Sequence, residues 1–185
     1  MAIQERLYTV EEFLDIANLP ENADKRLELD EGVIVEMPPS SQKNTVIAGI
    51  IIYLLNMFVI PNKLGYVTTP DGGFKLTEYS VRQPDVAFIS KARHSELKGV
   101  AFPLAPDLAI EVISPGEDPV PKMRQYFAAG TREVWSVYPE TETIFVWHQV
   151  PDGGLHGQEY NVTATIDGGD VLPGFSLRVA DVFPK

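Results

Sequence analysis

The residues best placed to do chemistry in this 185-residue sequence are carboxylates. Glu111 lies inside Asp107–Ile113, a segment otherwise almost wholly apolar and bounded by Pro106 and Pro115, which is the pattern of a buried strand. A carboxylate inside such a strand is costly to bury unless it is paired or binds a cation. Asp107 shares its strand and face but lies ~13 Å away along the chain, so the two cannot hold one ion. Asp85 opens the preceding apolar segment, Pro84–Ile89. If the two strands are antiparallel, the start of one lies beside the end of the other, and Asp85 and Glu111 converge. Two adjacent carboxylates repel unless a cation sits between them, and oxygen ligands suit Mg²⁺ or Mn²⁺. The alternative is that Asp85 caps a turn and Glu111 pairs with an arginine.

The elements that would position these groups follow from local patterns. Thr9 to Glu12 forms a capping box, with Tyr8 and Phe13 at the staple positions, and starts a short helix ending before Pro20. Arg26–Asp30 and Val33–Met37 alternate about Asp30-Glu31-Gly32 and read as a hairpin, with Arg26, Glu28 and Asp30 on one face. Ser40 or Ser41 caps a long helix whose apolar positions are Val46, Ile47, Ile50, Ile51, Leu54, Leu55 and Phe58, widened by Ile52 and Met57. Strands follow at Gly65–Thr69 and Phe74–Thr77. Asp118-Pro119 opens, and Gly130 stops, a helix carrying Lys122 and Tyr126 on one face. Arg132–Tyr138 and Thr143–Val150 are strands, and the last third reads as short strands and turns. Helices interleaved with runs of strands predict an α/β fold with a mixed sheet in one domain spanning residues 1–185.

Composition narrows the function. The net charge of −11 argues against a general nucleic-acid binder. The acid is in the flanks: residues 1–40 hold 3 basic and 10 acidic side chains, and 140–185 hold 2 and 7, whereas 41–139 hold 10 and 9. Lys75, Arg82, Lys91, Arg93 and Lys98 crowd the middle, where a solvated face is favoured over a phosphate-tracking patch. With no cysteine, disulfides, thiolate zinc sites and cysteine nucleophiles are excluded, and a reducing, cytoplasmic setting is expected. The start, MAIQERLYTVEE, lacks the regions of a secretory leader, and the apolar run Val46–Ile60 is shorter than the ~20 residues of a membrane span. His94, His148 and His156 lack metal-ligand spacing, Trp135 and Trp147 read as core, and no P-loop, dinucleotide fingerprint or G-x-S-x-G elbow occurs.

Taken together, QPD at 83–85, PDLAIEVISP at 106–115, Asp118 with Lys122 four residues later, and REVWSVYP at 132–139 resemble the Uma family of restriction-endonuclease-like proteins, within the PD-(D/E)xK nuclease superfamily. RLELDEG at 26–32 and LPGFSL at 172–177 fit the same pattern. The resemblance implies a restriction-endonuclease-like mixed β-sheet flanked by helices, with an N-terminal helix plus β-hairpin and extra C-terminal strands. It implies that Asp85 and Glu111 bind the metal with the backbone carbonyl of Val112 as third ligand. Glu28 would be the upstream acid and Lys122 the catalytic lysine. The superfamily lysine usually lies two residues after the glutamate; here that position is Ile113, and the lysine has moved to the following helix. Family members often carry a Ser-x-x-His pattern before the long helix, whereas here Ser40 is followed by Lys43 and Asn44. The implied activity is Mg²⁺- or Mn²⁺-dependent hydrolysis of DNA, with a homodimer as the form in which superfamily nucleases often cut both strands. The alternative is a nuclease-fold module that binds a protein or nucleic-acid partner without cutting.

Overall fold

The computed structural model describes residues 6–185; residues 1–5, the beginning of the stretch read above as lacking a leader, lie outside the described residues. A six-stranded sheet forms the centre, in the order β10-β9-β8-β7-β6-β3. Its strands are β3 (Gly65–Thr68), β6 (Val86–Ser90), β7 (Leu108–Val112), β8 (Glu133–Tyr138), β9 (Thr143–Gln149) and β10 (Leu155–Tyr160). All pairs are antiparallel except β7–β8, which is parallel and joined through helix α3 (Val120–Ala128). A parallel pair needs such a crossover, and the helix packs back onto the sheet.

The mixed α/β architecture agrees with the sequence reading, but the hairpin does not simply append to one sheet. Strands β1 (Leu27–Asp30) and β2 (Val33–Glu36) join β4 (Phe74–Thr77) and β5 (Ser80–Arg82) in a second sheet, in the order β2-β1-β5-β4. The three-residue β5 is too short to carry a period and was not expected. Strand alternation divides β1: Leu27 and Leu29 pack with Val81 against Val10 and Phe13 of α1 (Val10–Ala17), while Glu28 reaches Lys122 of α3. The capping box of α1 is present, with Thr9 Oγ1 accepting from the Glu12 amide. A small sheet of β11 (Thr165–Asp167) and β12 (Ser176–Arg178) adds Ile166 and Leu177 to the main core.

Strand β7 shows how the layers use one strand. Leu108, Ile110 and Val112 face α2 (Gln42–Val59) in the main core, and Ala109 faces α3 with Met123, Tyr126, Phe127 and Val134. Ser41 caps α2. Its buried stripe is Asn44, Ile47, Ala48, Ile51, Leu55 and Val59, not the wider face expected from the periodicity, since Val46 and Met57 are 49% and 61% exposed. The helix is apolar nearly all round, so its pattern alone cannot select the stripe that packs. Among the described helices it alone is long and apolar enough to cross a membrane, yet Ile47, Ile51, Leu55 and Val59 are fully buried against the sheet.

Space is tightest where β3 meets β6. A Cβ on Gly65 would lie 2.1 Å from the Ile89 carbonyl oxygen and 2.8 Å from Ser90 Cα, so backbone itself would have to move. Gly65→Ala is expected to lower the unfolding free energy by about 1–3 kcal/mol in chemical denaturation, whereas Gly49→Ala, with nothing within 4 Å, should not destabilise the fold.

Candidate functional site

Asp85 and Glu111 arrive side by side because β6 and β7 are antiparallel. Val86 is opposite Ile110 and Ala87 opposite Ala109, so one step further places Asp85 opposite Glu111 on the α3 side of the sheet. Asp85 Oδ2 accepts the Val112 amide at 2.9 Å, replacing the ladder bond that β6 can no longer supply. A strand residue turns its N–H and C=O to the same edge, so the Val112 carbonyl lies on the Asp85 side too. It accepts a 3.3 Å hydrogen bond from Asn44 Nδ2. Asp85, Glu111 and Val112 line a half-open cavity of about 350 Å³ with Arg26, Asn44 and Lys122, bordered by the segment 38–40 and by the turn at Ser114–Glu117. Asp107 lies at the far end of β7, where it accepts the Ser90 amide at 2.8 Å and pairs with Arg93 at 3.2 Å.

Helix α3 supplies the partners of Glu111. Lys122 Nζ is 3.2 Å from Glu111 Oε1 and 3.3 Å from Glu28 Oε1, with its side chain only 13% exposed. One turn on, the Tyr126 hydroxyl donates to Glu111 Oε1 at 2.7 Å. Burial pushes the Glu111 carboxyl up, and the neighbouring Asp85 and Glu28 charges push it further, to about 7 against the opposing pull of Lys122 and Tyr126. Burial works against the Lys122 ammonium, but Glu111 and Glu28 outweigh it and hold the pKa above its usual value. Burial and the Glu111 charge raise Tyr126 well above the ordinary phenol range, so it stays a donor.

Glu28 stands behind this pair. Its Oε2 accepts Arg82 Nη1 at 2.9 Å, and its Oε1 accepts the Gln83 amide at 2.9 Å as well as facing Lys122. It is fully buried and does not line the cavity, so it holds the lysine rather than offering itself to a ligand. Arg82 also pairs with Asp30 and donates from Nε to Gln125 Oε1 at 2.8 Å, and Gln125 Nε2 donates to Asp30 at 2.8 Å. Arg82 was read above as part of a solvated cationic face; it is buried because β5 faces α3 across the two acids. Arg93 and Lys98 are also paired, with Asp107 and Glu96, and Lys91 lies over the Tyr66 ring.

Similarity to known proteins identifies the family and the fold. A family model, Uma2, described as "Putative restriction endonuclease", matches residues 10–180. The chain belongs to the Uma2 family. Among solved structures, that of a putative nuclease belonging to DUF820 from Anabaena variabilis superposes with a TM-score of 0.77 at 21% identity, covering 95% of this chain and 97% of that one. At that identity the likeness speaks for the fold. No curated protein matches the chain.

The Uma2 fold brings Asp85, Glu111, Val112 and Lys122 to one cavity and sets Glu28 one layer deeper. Among the described residues, no group of three or more His, Asp or Glu side chains could cage a metal ion. What the cavity offers is sparser: two carboxylates and a carbonyl. That donor set fits Mg²⁺, which is usually held by one or two carboxylates with water and substrate oxygens completing the shell.

Tyr126 and Asn44 were not assigned roles from sequence, and Arg82 was placed on a solvated face. Lys122–Tyr126 spacing was the available signal for Tyr126. Asn44 follows Ser41, not Ser40, in the Ser-x-x pattern; its amide donates to Ser41 Oγ, and its side chain reaches Val112 and Ser114. Removing Arg82 would leave the buried Oε2 of Glu28 without its partner, with Lys122 and the Gln83 amide still on Oε1, and would cut the link from β5 to α3. Arg82→Ala is expected to cost about 3–5 kcal/mol in urea denaturation. A loss below ~1 kcal/mol, the scale of an exposed pair, would show that the pair does not join these layers.

Proposed function

We propose that this chain is a divalent-metal-dependent endonuclease that hydrolyses phosphodiester bonds in DNA. One observation carries the reading: two carboxylates from adjacent antiparallel strands meet at a cavity beside a lysine ammonium held by two acids. Membership of a family described as a putative restriction endonuclease, and the fold shared with a putative nuclease, support it.

In this reading Asp85, Glu111 and the Val112 carbonyl hold the ion. When bound, Mg²⁺ or Mn²⁺ supplies Lewis acidity at the scissile phosphate. Lys122 is positioned to orient the attacking water or to donate to phosphoryl oxygens as charge develops there. Its ammonium cannot swing freely, because Glu28 and Glu111 fix it from two sides. Tyr126 fixes the rotamer of Glu111 through the shorter of that carboxylate's two contacts. Asp118 does not enter the chemistry: its Oδ1 accepts the Val120 amide at 3.0 Å, while Pro119 takes the cap position of α3.

The test is cleavage of plasmid and oligonucleotide DNA with Mg²⁺ or Mn²⁺. Wild type should cut, Glu111→Ala and Asp85→Ala should fall to the blank, and Lys122→Ala should lose about 10²–10³-fold, the scale of one removed transition-state donor. Circular dichroism melts of each variant separate lost chemistry from lost fold. A folded wild type that cuts no DNA with either metal would favour a non-cutting binding module, which the net charge of −11 also suits.

A further inference from the structure

Arg26 immediately precedes β1, and it is the cavity's second cation beside Lys122. The two are tied down very differently. Lys122 lies between two carboxylates at 3.2 and 3.3 Å. Arg26 donates from Nη2 to the Gln83 carbonyl at 2.8 Å and stands 3.5 Å from Asp85 Oδ1, well beyond the 2.7–2.9 Å of a good charged hydrogen bond. Its Nε is buried and has no hydrogen-bond partner among the described residues. A guanidinium presents five N–H donors, and the bonds Arg26 makes all come from one nitrogen. The other basic side chains nearby are committed: Arg82 to Glu28 and Asp30, and Lys43 to the Pro139 carbonyl and Glu140.

Nε is sealed beside Gln83, whose Oε1 is likewise buried and unpartnered, so the free donors that an acceptor from outside could meet are those of Nη1, which makes no hydrogen bond among the described residues and is not sealed from solvent. The planar fork matches the paired oxygens of a phosphate. Charge decides when such a group can enter. Asp85, Glu111 and Glu117 face Arg26 and Lys122 around the cavity, three acids against two bases, which repels an anion. A divalent cation at Asp85 and Glu111 reverses that sign. It also removes the one carboxylate that Arg26 contacts.

We propose that Arg26 is a phosphate-binding residue: it exchanges its loose contact with Asp85 for a phosphate group of the nucleic-acid substrate when that carboxylate turns to a divalent ion. This rests on the endonuclease reading above. It makes metal and Arg26 competitors for Asp85, and metal and phosphate cooperative at the cavity.

The experiment measures two bindings separately on the full chain. Mn²⁺ binding without DNA is followed by electron paramagnetic resonance. Binding of a fluorescent oligonucleotide with Ca²⁺ is followed by anisotropy across a salt series, with gels confirming that the probe stays intact. Arg26→Ala should bind Mn²⁺ at least as tightly as wild type. It should bind the oligonucleotide about 10-fold more weakly, with the slope of log affinity against log salt reduced by about 0.7–0.9, one phosphate contact. Arg26→Lys should keep the slope and lose only part of the affinity, and it serves where the alanine variant melts early.

Unchanged oligonucleotide affinity and slope in Arg26→Ala, with Mn²⁺ binding intact, would overturn the proposal and leave the metal reading standing. Joint loss of both bindings in a folded Arg26→Ala would overturn it too, showing Arg26 to be a strap for Gln83 and Asp85. Mn²⁺ binding that Glu111→Ala leaves unchanged would instead strike the metal reading, and this proposal with it.

Discussion

A carboxylate in the middle of an apolar strand is the constraint from which most of this architecture follows. Glu111 is 5% exposed, touching the cavity only at its edge, so burial works against its charged form. It needs donors from outside its own strand, and β7 can receive them only from the layer above. Helix α3 delivers two, Lys122 and Tyr126, because residues four apart stack on one face. The parallel β7–β8 pair requires a crossover, and α3 is that crossover. So the step that builds the sheet also brings the lysine to the acid.

The same network joins the two sheets. Lys122 touches Glu28 as well as Glu111, and Glu28 is held by Arg82 from β5. Gln125 spans from α3 to Asp30 and Arg82. Where the small sheet meets α3 the contacts are therefore ionic and hydrogen-bonded, while its other face packs on α1 through Leu27, Leu29 and Val81. Buried ion pairs of this kind add little net stability over an apolar contact, but removing one partner is costly. They also set position sharply. An apolar interface would tolerate sliding of α3, whereas a lysine bonded at 3.2 and 3.3 Å to acids on two different sheets does not.

How much of this was legible in the sequence depended on the range of the interaction. Local signals were clear: the capping box at Thr9 and Glu12, the turn at Glu31-Gly32, the stop at Gly130. The meeting of Asp85 and Glu111 was also readable, since it needs only the relative direction of neighbouring strands. What failed depended on a second sheet that no period announces. Arg82 looked like one more surface cation in a run of five, because only the pairing of β5 with β1 shows that it faces two acids. Helix α2 defeated the periodicity for the opposite reason: with apolar residues on every side, its pattern does not name the buried one. Glu28 was readable as a candidate, but its depth behind Lys122 was not.

On the proposed reading Lys122 stands in for the strand lysine of the superfamily pattern, and its place shows what a motif does and does not specify. Ile113 stands two residues after Glu111, where the superfamily pattern puts its cation, and here it is buried, with its amide bonded to the Val137 carbonyl. A lysine on the strand would inherit its position from the backbone. A lysine on α3 takes its position from packing instead, through Met123, Tyr126 and Phe127 against Ala109 and Val134. Its reach to Glu111 is then only as reliable as the docking of that helix. This explains why Tyr126 makes a hydrogen bond to the same oxygen one turn further along: it ties the helix to the carboxylate at a second point and fixes the rotation of α3 that Lys122 requires. Moving the cation off the strand thus turns a local requirement of sequence spacing into a tertiary one, met by residues that do not touch the cavity.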